Sequence, residues 1–240
     1  MVFDAVGCGV EILSDERRHS QAEEVGVVDG EEARARTEAA NGLRQAERVI
    51  EMVMSSLERH AFKLRPSTIL DLHREAIQGL SPYAGNWRPG DVAINLSSHL
   101  PPLAGAVPYL VEELCDYVSE KWDKRTAIHL ASFVMWRLNW IHPFTDGNGR
   151  TSRAVSYLVL CCRSRALLPG ANTIPEQVVR DRAPYYSALE AADARLRQWK
   201  SAQGDGFPDD IVREMEELMA GMLARQLRDV FDEAKGDLPG

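Results

Sequence analysis

The sequence lacks a positive charge excess, a long apolar run, a cysteine framework and any internal repeat. Its 240 residues carry 28 Lys and Arg against 36 Asp and Glu, a formal charge of −8. That balance excludes a surface built wholly to grip nucleic acid or anionic lipid, either of which favours a basic field. No nucleic acid and no membrane are therefore expected as partners. No stretch approaches the roughly 18 consecutive apolar residues of a spanning helix. The opening MVFDAVGCGVEILSDERR has no basic start, and Asp4 interrupts its apolar stretch, so it does not read as a secretory leader. Cys8, Cys115, Cys161 and Cys162 form no C-x-x-C pair, a pattern that suits buried thiols in a reducing compartment. A soluble, cytoplasmic protein is expected. With 45% hydrophobic residues the chain is not disordered, and its length suffices for one compact domain without a staple.

What is present is mostly helical periodicity. Residues 15–48 are dense in charges of both signs. Leu43, Ala46, Ile50, Val53 and Leu57 then fall at a spacing of three and four, which predicts one buried helix stripe. A second helix is expected from Pro66 to about Gly79. The segment SPYAGNWRPGDVAINLSSHLPPLAG breaks the rhythm, and Trp87–Asn95 reads as a short hairpin about Pro89–Gly90. Isolated β-structure of this size suits an exposed flap. Further helices are predicted over 104–121, 126–141, 149–167, 174–180, 183–198 and 209–234. The helix at 126–141 is apolar on both faces and should be central. The fold class is all-α, a helical bundle with one short β-hairpin.

The chemistry concentrates in Ile141-His-Pro-Phe-Thr-Asp-Gly-Asn-Gly-Arg-Thr-Ser-Arg153. A buried helix ends there, and a short loop sets an imidazole, a carboxylate and a Gly-Asn-Gly turn before the next helix. Gly147 and Gly149 permit positive φ, so successive backbone N–H groups can converge on an anion. Asn148 is a good N-cap, with helix partial positive charge behind it. Arg150 and Arg153 lie three residues apart on one helix face. Together these residues make a phosphate cradle. Asp146 is suited to hold Mg²⁺ against the phosphates, and His142 to take a proton near neutral pH.

These residues resemble the signature of the Fic family, H-x-F-x-[D/E]-G-N-G-R-x-x-R, at His142, Phe144, Asp146, Gly147, Asn148, Gly149, Arg150 and Arg153. Ala84-Gly-Asn-Trp-Arg88, Val92, Ile94 and His99–Pro102 are similar to that family's flap, and Arg182–Leu189 to its R-x-x-Y-Y-x-x-L helix. The resemblance covers about residues 65–195. It implies a Fic-type bundle divided into an N-terminal helical segment (1–62), a core (63–200) and a C-terminal helix packed on it (201–240).

The resemblance further implies a protein adenylyltransferase that moves AMP from ATP to a Ser, Thr or Tyr hydroxyl of a target protein, with ATP and Mg²⁺ bound. His142 would be the general base and Asp146 the metal ligand. Gly147, Asn148 and Gly149 would form the anion hole, Arg150 and Arg153 would hold the outer phosphates, and Tyr185 and Tyr186 would line the adenine pocket. Where some relatives have Asn beyond the second tyrosine, this chain has Asp193. Trp87, Arg88, Val92 and Ile94 would dock the target along the flap. Many relatives carry an inhibitory helix bearing [S/T]-x-x-x-E-[G/N]. Here Ser20 and Glu24 fit it while Val25 departs, and Glu24 would pair with Arg153. Other Fic reactions (a different transferred group, or AMP removal) and a non-catalytic nucleotide sensor are the alternatives. A homo-oligomer is compatible with the sequence, which does not identify the target.

Overall fold

The computed structural model describes Ser20–Gln21, Val27 and residues 30–236. Among these the chain forms eight α-helices: α1 (Glu31–Arg59), α2 (Pro66–Ile77), α3 (Val107–Lys121), α4 (Ala127–Ile141), α5 (Asn148–Ser164), α6 (Ile174–Arg180), α7 (Ala183–Ser201) and α8 (Arg213–Gly236). Two short strands, β1 (Ser20–Gln21) and β2 (Ala93–Ile94), and a 3₁₀ turn at Ala104–Ala106 complete the inventory.

Helix α4 is the axis of the bundle, packed against α3, α5, α7 and α8. It begins where Thr126 accepts a hydrogen bond from the backbone N–H of His129, the usual N-cap arrangement. Its residues from His129 to Leu138 are all buried, as expected of a helix apolar on both faces. Phe133, Trp136 and Phe144 are among the largest fully buried side chains, and burial of such groups is worth roughly 1.5–3 kcal/mol each. The helix ends with His142 in the left-handed region, φ 50°, and the chain turns there into the loop of interest. Helix α8 seals the far side through Met215, Met219 and Met222, against α4, α6 and α7.

Two expectations are corrected. Helix α1 does not bury the stripe Leu43, Ala46 and Ile50. It buries Asn41, Gln45, Val49, Val53 and Ser56. The reason is hydrogen bonding: Asn41 Nδ2 donates to the carbonyls of Ala76 and Gln78, and Gln45 Nε2 to that of Leu72. These amides satisfy acceptors along α2, including those at its C-terminal end, which helix geometry leaves open. Leu43, Ala46 and Ile50 instead line an apolar cavity of about 1050 Å³ with Leu167, Leu168 and Val179.

The hairpin about Pro89–Gly90 does not form either. In its place β2 pairs antiparallel with β1, Ser20 opposite Ile94 and Gln21 opposite Ala93. The turn chemistry of Arg88–Asp91 is used differently, because the Arg88 guanidinium is drawn inward onto carbonyl groups. The backbone of Ser20 lies in β1, and Glu24 lies outside the described residues.

Candidate active site

The loop between α4 and α5 is held by Phe144 and Asn148. Phe144 is buried and stacks on the imidazole of His73, ring centroids 3.6 Å apart, with Trp87 against it at 5.3 Å. Asn148 is not the N-cap. It is the first residue of α5, and its side chain folds back to clamp the main chain of Phe144: Oδ1 accepts from the Phe144 N–H at 3.0 Å and Nδ2 donates to the Phe144 carbonyl at 2.8 Å. The cap is Gly147, φ 79°. A Cβ at this position would sit 2.6 Å from the Ile77 side chain, so both conformation and space demand glycine. Gly149 is helical. Its lack of a side chain serves the guanidinium of Arg153, whose Nη1 lies 3.1 Å from where a Cβ would stand.

His142 is buried, and that burial pushes its pKa down from 6.5 to about 4, since a charged ring would lose its water. Nδ1 faces the carbonyl of Asn139 at 3.4 Å. That contact favours the proton on Nδ1 and leaves the Nε2 lone pair as the basic one. The carbonyl of His142 accepts from Arg88 Nε at 2.9 Å.

Asp146 is half-buried. One carboxylate oxygen accepts from the Gly147 N–H at 2.6 Å, the other from Arg150 Nη2 at 3.1 Å and from Arg34 Nη2 at 3.4 Å. Arg153 is surrounded by Tyr185, Tyr186, Arg182 and Arg150, and burial lowers its pKa. Among the described residues no carboxylate lies within 4.0 Å of it. A guanidinium so placed beside the first turn of α5, whose leading N–H groups have no intrahelical acceptor, is an anion-binding arrangement.

His142, Asp146, Gly147, Asn148, Gly149, Arg150, Arg153, Tyr185 and Tyr186 all line one cavity of about 920 Å³, together with Ile94, His99 and Asp193. The structure thus brings the expected loop and tyrosines together. It separates the flap residues. Ile94 borders the cavity, and Val92, two residues before it, is half-buried. Trp87 packs on Phe144. Arg88 is a strut: its guanidinium is fully covered and donates to the carbonyls of His142, Gly90 and Pro102. Among the described residues no group of three or more His, Cys, Asp and Glu forms a metal cage, and no helix is long and apolar enough to cross a membrane.

Three contributors, His73, Arg34 and Glu38, escaped sequence reasoning, and Asp193 was noted there only as a departure from some relatives. His73, on the inner face of α2, has Nε2 3.0 Å from the Asp146 carbonyl, while its Nδ1 accepts from the Gly85 N–H at 3.0 Å. Burial lowers its pKa to about 4, so the neutral ring bridges flap and loop. A lone His among Ile69, Leu72 and Ile77 was its only trace. Asp193 accepts from Trp136 Nε1 at 2.8 Å and lies 3.6 Å from His99, and burial raises its pKa. Arg34 and Glu38, in a helix dense with charge, gave no sign of pointing into the site.

Helical fold and loop together resemble the Fic arrangement, and the comparisons point the same way. Residues 63–160 match the Fic/DOC family. Protein adenylyltransferase fic-1 from Caenorhabditis briggsae is 30% identical over 70% of this chain and 31% of its own length. Protein adenylyltransferase Fic from Drosophila willistoni is 32% identical over 52% of this chain and 24% of its own. The chain therefore spans about a third or less of these relatives. Fic-1 from C. elegans shares the fold, with a TM-score of 0.60 at 22% identity, covering 86% of this chain and 55% of that one.

Proposed function

We propose that this chain is a protein adenylyltransferase, transferring AMP from ATP to a hydroxyl side chain of a target protein. The observation that carries the reading is the single cavity lined by His142, Asp146, the α5 N-terminus, Arg150, Arg153 and two tyrosines. A neutral imidazole, an anion cradle and aromatic walls are what nucleotidyl transfer to a hydroxyl requires. The names of the relatives point the same way.

In the reaction the target hydroxyl oxygen attacks the α-phosphorus of ATP. His142 Nε2 takes the hydroxyl proton, the bond from the α-phosphorus to the bridging oxygen breaks, and pyrophosphate leaves. Arg150 and Arg153 hold the outer phosphates in line, and the Gly147–Gly149 turn stabilises charge on the phosphate oxygens. Mg²⁺ is ordinarily held by one or two carboxylates together with substrate phosphates. A single carboxylate on the wall of a cavity with two arginines fits that donor set, with Asp146 as the ligand. Bound there, the ion would neutralise charge between the phosphates. Tyr185 and Tyr186 form the wall for the base. Ile94 and its neighbours would seat an extended target segment by main-chain hydrogen bonds. Glu24, outside the described residues, would pair with Arg153 as an inhibitory carboxylate.

The test is incubation with labelled ATP, CTP, GTP or UTP and Mg²⁺, followed by intact mass measurement of the chain and of co-purifying proteins. Addition of an adenylyl group by the wild type and not by His142→Ala supports the reading. Nucleotide binding with no transfer to any protein overturns it.

A further inference from the structure

Helix α1 reaches the phosphate loop through two side chains that lie outside the Fic/DOC match. Arg34 Nη2 is 3.4 Å from Asp146 Oδ2, and Arg34 Nε is 3.2 Å from Glu38 Oε1. Glu38 Oε1 is in turn 3.7 Å from Arg150 Nη1, and Arg150 Nη2 is 3.1 Å from Asp146 Oδ2. Asp146, Arg150, Glu38 and Arg34 thus form a closed ring of alternating charge. Asp146 and Arg150 belong to the loop and the first turn of α5, and Arg34 and Glu38 to α1. Both α1 residues line the cavity that holds His142.

The ring is electrically balanced within itself, two carboxylates against two guanidiniums. On the reading given above, a triphosphate with its divalent cation enters beside Asp146 and Arg150. A carboxylate that turns to the cation gives up its arginines, and Arg150 is needed on phosphate. Arg34 then keeps a single anionic partner, Glu38, and stands about half exposed at the wall of the same cavity. A guanidinium presents several N–H donors in a fixed fork, and phosphate oxygens are its best acceptors.

We propose that Arg34 is a triphosphate-binding residue supplied by α1, docked on Asp146 and transferred to a β- or γ-phosphate oxygen when nucleotide binds, with Glu38 as its holder. Glu38 accordingly competes with the nucleotide for Arg34 and Arg150. The exchange is specific for the outer phosphates, because Arg34 meets Asp146, which also pairs with Arg150. It is far in sequence from His142 and from the tyrosines that would meet the base.

The inference rests on nucleotide binding at this loop, and calorimetric binding tests it apart from AMP transfer. ATP, pyrophosphate and AMP are titrated with Mg²⁺ into wild type, Arg34→Ala, Arg34→Lys, Glu38→Gln and Glu38→Ala. One charge-assisted pair lost from phosphate should weaken ATP and pyrophosphate binding about tenfold in Arg34→Ala, with AMP unchanged. Arg34→Lys should recover part of the loss. Glu38→Gln and Glu38→Ala should bind ATP several-fold more tightly. Equal ATP affinity in wild type and Arg34→Ala overturns the proposal, as does an equal loss for AMP, which would mark a merely structural effect. A wild type that binds ATP with this Arg34 dependence but transfers nothing would sink the enzymatic reading and leave this one standing.

Discussion

The imidazole of His73 lies flat on the ring of Phe144, 3.6 Å between centroids and 7° between planes, and spans the flap and the phosphate loop with its two nitrogens. The stack fixes Phe144 of the loop motif. The nitrogens fix Gly85 on one side and Asp146 on the other. A residue of α2 therefore sets the angle at which the carboxylate meets the cavity.

His73→Ala should remove the stack and leave a buried N–H and a buried carbonyl unsatisfied. A cost of about 2–4 kcal/mol is expected, read from urea unfolding. AMP transfer should fall more in kcat than ATP binding falls in calorimetry, since the phosphate arginines are untouched. His73→Phe keeps the stack without the hydrogen bonds and should lie between the two.

Gly147→Ala should be strained twice, by its positive φ and by the Ile77 side chain 2.6 Å from the new methyl. We expect a loss of about 2–4 kcal/mol in stability. Combined with Ile77→Ala, the double variant should be more stable than the sum of the single losses predicts, because the steric part is shared. Simple additivity would show that no such clash exists.

Arg88→Met preserves the aliphatic stem but leaves the carbonyls of His142, Gly90 and Pro102 without a donor. A cost of about 2–4 kcal/mol is expected, together with lower transfer, because the anchor of the His142 main chain is gone. Arg88→Lys should rescue little, since a point charge cannot serve three carbonyls in a fork. A variant whose only defect is weaker target binding would instead place Arg88 on the docking surface.

The two buried histidines predict the acid behaviour. His142 and His73 both have pKa values lowered by burial from 6.5 to about 4. Between those values the unfolded chain takes up protons that the folded chain refuses. Stability is therefore complete above pH 6.5 and is lost as pH falls through the window, by on the order of 1–2 kcal/mol per histidine at pH 5. Urea midpoints at pH 7 and pH 5 check the direction. The transfer rate should stay level across pH 6.5 under conditions where the protein remains folded. An acid limb centred on 6.5 would contradict a buried, neutral base.

Much of this was written in order along the chain. Helices α2 to α8 follow from apolar spacing and from caps such as Thr126 and Thr173. The loop residues are adjacent in sequence, so their convergence needs only a helix end and a helix start. The stripe of α1 and the flap hairpin misled for one reason. Local pattern assigns Leu43 and Ile50 to the core and Pro89–Gly90 to a turn, but carbonyls on other segments claimed Asn41, Gln45 and Arg88.

The sequence by itself determined the all-α class and the chemistry of residues 142–153, because both depend on spacing within one helix or one loop. Only the tertiary structure decided that His73 braces the loop, that Arg88 is a buried strut and that Arg34 and Glu38 close a charge ring with Asp146 and Arg150. Those roles are contacts between segments up to 112 residues apart, and a polar side chain acquires them from the partner that packing brings to it.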